Sequence, residues 1–113
     1  MDKKYLKNVD VETVLNLKDL VSYQQGQIVS KTLAQTQAVI LTLFAFDKSE
    51  SISTHESDGD ALVIALDGEG EITIADKKYR LKMGDSIVMP ARKPHAVYAT
   101  EQFKMFLIVV FPI

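Results

Sequence analysis

From Gly26 onward the chain alternates apolar with polar positions or gathers short apolar runs, and Gly, Asp or Pro closes each segment. A period of two puts one side-chain set on each face of a pleated strand. The pattern predicts strands over 27–33, 37–46, 61–66, 71–74, 79–83, 86–89, 95–100 and 103–111, with a polar turn over 47–53 and a loop over 90–94. Asp67-Gly68, between two strand patterns, reads as a hairpin turn because glycine tolerates the positive φ such turns require. Before Gly26 the period changes. Val11, Val14, Leu15, Leu17 and Leu20 fall at roughly helical spacing, which predicts a helical segment over 9–23 with Asp10 as its cap.

Short strands at regular spacing, joined by tight turns, predict an all-β sandwich or small barrel. No linker or low-complexity tract divides the chain, so residues 1–113 read as one domain, with an N-terminal extension over 1–24 and a barrel over about 25–112. The final strand, 103–111, is apolar on both faces. Such a strand is buried on both sides or packs one face on another subunit, and a homodimer is the expectation.

Composition narrows the function. A length of 113 residues, 47% hydrophobic and 25% charged, suits one globular core. The net charge of −2 offers no basic stripe for nucleic acid; Lys77-Lys78 and Arg92-Lys93 are short turn clusters that solvent accounts for. With no cysteine, thiolate catalysis, disulfides and cysteine-based zinc sites are excluded. The first ten residues lack the apolar core of a signal peptide. The apolar tail from Met105 is far short of the ~20 residues a membrane helix needs. A cytoplasmic protein without membrane or nucleic-acid partners is expected.

The chemistry concentrates in two histidines. His55 stands thirteen residues before Gly68, and His95 eleven after Gly84. Imidazole is the commonest metal ligand and the side chain best suited to proton transfer near neutrality. Their surroundings carry a resemblance. Gly84, Pro90 and His95 match the pattern Gly-x5-Pro-x-Gly-x2-His-x3-Asn, with Arg92 at its second glycine and Ala99 at its asparagine. Anchored on Gly68, the pattern His-x-His-x3-Glu-x6-Gly puts His55 at the first histidine, Ser57 at the second and Ala61 at the glutamate. The chain therefore resembles the cupin superfamily over roughly 25–112. That resemblance implies a double-stranded β-helix, or jelly roll, usually dimeric. It also implies metal-ligand positions at 55, 57, 61 and 95, of which only two hold histidine.

Two imidazoles need a third donor to make an open catalytic metal site. Glu56, Asp58 and Asp60 are the nearby carboxylates. Asp60 is one residue out of register, so it points inward only if the Asp-Gly-Asp turn still holds it there; otherwise it is a turn aspartate bonding backbone amides. Ala61, Val63 and Ala65 share one face, as do His95, Val97 and Ala99. With Ser57, and with Met89 and Met105 as soft walls, they sketch an apolar pocket holding a few polar groups. Glu69, Glu71 and Arg92 read as solvated, Arg92 at the pocket rim.

Four functions compete. The first is binding of a small molecule between His55 and His95, with or without a weakly held divalent metal (Zn, Fe, Mn or Ni). The second is a metal-dependent dioxygenase or isomerase using His55, His95 and a carboxylate such as Asp60. The third is a metal-free isomerase or lyase using His95 or His55 as general base, and the fourth a structural dimer or sensory module with no chemistry.

Overall fold

A computed structural model describes residues 5–113. The described residues form eight strands: β1 (Ile28–Gln35), β2 (Val39–Phe46), β3 (Ser51–His55), β4 (Asp60–Ile74), β5 (Lys77–Lys82), β6 (Ser86–Met89), β7 (His95–Tyr98) and β8 (Phe103–Val110). All pairings are antiparallel. One sheet runs β1-β2-β8 and then the first half of β4, with β6 beyond; the other joins β5, the second half of β4, β7 and β3. The all-β class expected from the spacing, and the jelly roll that the resemblance implies, are the fold observed.

The hairpin read at Asp67-Gly68 is corrected. The predicted strands 61–66 and 71–74 are halves of one strand, β4, which runs through the pair. Its register against β8 slips between Ala65 and Asp67, and Gly68 has φ +70°. The positive φ read as a turn is used instead for a bend, which carries β4 from one sheet into the other. The hairpin lies further on, at Ala75-Asp76 between β4 and β5.

Among the described residues, helix is confined to one 3-10 turn, Leu17–Leu20, within the predicted segment. Asn16, rather than Asp10, caps it, its side chain accepting from the Lys18 amide at 3.3 Å. Val9 at its start and Leu17, Leu20, Val21 and Tyr23 at its end find a surface to pack on, whereas Val14 between them is fully exposed and Glu12 has φ +52°. A short helix without a packed face does not hold in water.

The core lies inside the roll. Phe46, Val63, Ile72, Phe103 and Met105 are its largest closed side chains, each fully buried phenylalanine contributing about 1.5–3 kcal/mol. A second cluster sits outside the β1-β2-β8 sheet, where Val21, Leu33, Leu43 and Ala45 meet Leu17, Leu20, Tyr23 and Phe106. The N-terminal segment thus covers part of the outer face of β8, while Val110 at the strand's end stays 57% exposed. Tyr23 fastens this cover by donating to Asp67 Oδ2 at 2.6 Å. Burial and then Asp67 push the phenol's pKa well up, so it remains a donor. Lys104 Nζ lies 4.9 Å from the Tyr23 ring centroid and donates to the Lys18 carbonyl at 2.7 Å.

Candidate functional site

The β3–β7 register makes His55 and His95 direct cross-strand partners, after an irregularity between Ile52 and His55. Opposed residues project from one face of an antiparallel pair, which is why two side chains forty positions apart in sequence meet. Their Nε2 atoms are 3.1 Å apart, and the rings cross at 73° with centroids 4.3 Å apart. His55 Nδ1 lies 3.0 Å from the Ser53 carbonyl oxygen, and His95 Nδ1 3.2 Å from that of Lys93. A carbonyl only accepts, so both Nδ1 atoms carry the hydrogen and both Nε2 atoms are left to act as acceptors in the neutral rings.

The pair forms the polar end of a cavity of about 260 Å³. Ser57, Ala61, Met89, Val97 and Met105 line it with the two histidines, so these sequence candidates come together. Val63 does not line it: one pleat deeper than Ala61, it is wholly buried in the core. Ala99 is likewise buried beyond the cavity. Phe44, Ile52, Leu107, Val109 and Phe111 complete the wall. Leu107 and Val109 continue the period-two face begun by Met105, a signal present in the sequence. Phe44 and Ile52 reach the cavity only through the curl of the sheets, which no local pattern carries.

Asp60 stays away from the histidines. Its Oδ1 accepts from the Ala91 amide at 2.8 Å, which holds the carboxylate on the 90–94 loop. With Asp58 and Arg92 it lines a separate, open concavity, whose shared wall with the inner cavity is Phe111. The metal-ligand reading of Asp60 is corrected to the turn-aspartate one. Ala61, its neighbour, is 2% exposed and faces in, so period-two geometry sends Asp60 out. Arg92 marks the rim with φ +62°, a conformation costly for any residue but glycine, and its amide donates to the Ser57 carbonyl at 2.7 Å.

A catalytic metal site of the usual kind does not fit these residues. Such sites take three protein ligands, or two histidines and one carboxylate. Here the protein donors stop at two imidazole nitrogens, and among the described residues no three His, Cys, Asp or Glu side chains converge. The reading of a metal enzyme built on His55, His95 and a nearby carboxylate therefore loses its third ligand.

Burial, and next the His55 ring, hold His95 below the ordinary imidazole range; the Lys93 carbonyl and Glu56 oppose this less strongly. The sign for stability follows. In the unfolded chain this ring takes up its proton near pH 6.5, whereas the folded protein resists protonation until lower pH. Below that value the unfolded state binds more protons, so stability is lost as the pH decreases; above it, this group contributes no slope. Urea midpoints of the wild type are expected to fall between pH 7 and pH 5. In His95→Gln the fall is expected to be shallower, and an identical profile would remove His95 from the account.

The cupin-domain family profile matches residues 42–111. Among solved structures, a conserved protein of unknown function from Streptococcus pyogenes is 45% identical. It covers 98% of this chain and 97% of its own, with a TM-score of 0.96. A cupin superfamily protein from Desulfitobacterium hafniense is 38% identical, covering 95% and 98%, at a TM-score of 0.90. A cupin 2 conserved barrel domain protein from Leptotrichia buccalis is 47% identical over 85% of this chain, which spans 47% of that longer one, at 0.83. No functionally curated protein matches the chain. Among the described residues, no helix is long and apolar enough to cross a membrane.

Proposed function

The chain belongs to the cupin domain family, and from that premise we propose that it binds a compact, largely apolar small molecule in the barrel cavity, oriented by His55 and His95. One observation carries the reading: two imidazole acceptors converge at the polar end of a cavity that is otherwise aliphatic and aromatic. Few convergent polar groups in a mostly apolar concavity are the usual profile of a ligand site. Size agrees, since a cavity of about 150 Å³ already accepts benzene. The replacement of two family ligand positions by Ser57 and Ala61 supports the same reading, because it exchanges charge and metal affinity for space.

Benzyl alcohol is a fitting first probe, with one donor on an apolar body. At millimolar concentration it is expected to raise the melting temperature and to shift the imidazole resonances of both histidines. Ala61→Leu, which grows into the cavity from its wall, is expected to weaken both responses ten-fold or more while leaving far-UV circular dichroism unchanged. Undiminished responses in a folded Ala61→Leu would locate the binding elsewhere and defeat the reading.

A further inference from the structure

The acceptors around the polar end of the cavity fix which hydrogens it offers. Each histidine Nδ1–H is committed to a backbone carbonyl, of Ser53 or of Lys93, so each neutral ring presents a bare Nε2 lone pair. The two Nε2 atoms do not satisfy one another. With both hydrogens on Nδ1, neither Nε2 carries one to donate, although the two nitrogens lie 3.1 Å apart. Ser57 adds the complement. Its Oγ accepts from the Gly59 amide at 3.2 Å, and among the described residues its own hydrogen has no acceptor. It lines the same cavity, which no Asp, Glu, Lys or Arg lines.

Two acceptors, one donor and no charge specify a partner. We propose that the ligand carries a neutral primary carboxamide on its apolar body. The two amide hydrogens meet His55 and His95 Nε2, and the amide oxygen accepts from the Ser57 hydroxyl. This rests on the reading of the cavity as a small-molecule site and names the ligand's polar end. An ionised head fits worse. An ammonium or carboxylate would be buried without a counter-charge, and a carboxylate would also face two lone pairs.

Calorimetry at pH 7.5 on the full chain decides this with probes of one size: benzamide, benzyl alcohol, acetophenone, benzoate and benzylammonium. Benzamide is expected to bind at least ten-fold more tightly than benzyl alcohol or acetophenone, since these replace only part of its hydrogen bonding. Ser57→Ala is expected to weaken benzamide several-fold and to leave benzyl alcohol unchanged. Acetophenone binding as tightly as benzamide would overturn the carboxamide assignment while leaving the cavity a small-molecule site. Tighter binding of benzoate or benzylammonium would overturn the neutral head. Failure of every probe, with no difference between wild type and Ala61→Leu, would defeat the small-molecule reading itself.

Discussion

Gly68→Ala is expected to lower the unfolding free energy by about 2–5 kcal/mol, the sum of overpacking against rigid atoms and left-handed backbone strain. A Cβ placed on Gly68 would sit 1.6 Å from the Gln102 carbonyl oxygen and 2.7 Å from its carbon. These are backbone atoms, so no rotamer change relieves the contact. They are also held in place, since the Glu69 amide donates to the Gln102 oxygen and the Glu101 amide to that of Glu69. Gly84→Ala provides the control. Gly84 also has positive φ, +96°, but no atom lies within 4 Å of its added Cβ, so only the strain of about 1–2 kcal/mol applies. Urea unfolding followed by circular dichroism measures both. Equal losses in the two variants would rule out the Gln102 contact as the cause.

That bend also matters to the site. Before it, β4 carries Ala61 on the cavity wall; after it, Ile74 pairs directly with His95. Gly68 is therefore the position that lets one strand serve both the wall and the histidine strand. Any folded fraction of Gly68→Ala should show altered His55 and His95 resonances, although the substitution is remote in sequence from both.

What the sequence makes legible is whatever depends on local period and spacing. Alternation identifies every strand but β3 (Ser51–His55), whose start falls in the segment read as a polar turn, and the distances from His55 to Gly68 and from Gly84 to His95 mark one site. The register that makes the histidines direct partners agrees with that spacing. The misread features are those where tertiary contact decides. At Asp67-Gly68 a positive φ serves a hairpin or a bend equally well, and only the neighbouring β8 chooses the bend. Over 9–23 the helical spacing is real, but the sheet offers a surface to its two ends, Val9 and Leu17–Tyr23, and leaves Val11, Val14 and Leu15 exposed. Val63 lies on the same face as Ala61, and how deep the cavity reaches along that face depends on side chains from β8 and β2. Asp60 turned on a single residue of register, which local chemistry left open and the Ala91 amide closes.

Restoring the two missing donors is the sharpest test of why this cavity departs from a metal site. Ser57 and Ala61 line the cavity with His55 and His95, so the double substitution Ser57→His with Ala61→Glu gathers three imidazoles and a carboxylate around one space. Without metal, the variant is expected to lose stability, because Ala61 is 2% exposed and a glutamate there brings a buried, unpaired carboxyl. Added zinc or manganese should reverse the loss. At a free metal concentration a hundred-fold above Kd, binding to the folded state alone adds about 2.7 kcal/mol, roughly 10 °C in Tm for a domain of this size. The wild type, with two nitrogen donors, is expected to gain less than about a fifth of that at the same concentration. Metal-dependent melting curves with a stoichiometry titration read both proteins. A wild type stabilised as strongly as the double variant would mean that His55 and His95 recruit a further ligand, and the carboxamide assignment would fall with it. The opposite pattern ties the loss of metal affinity to positions 57 and 61, where a hydroxyl and open space replace charge.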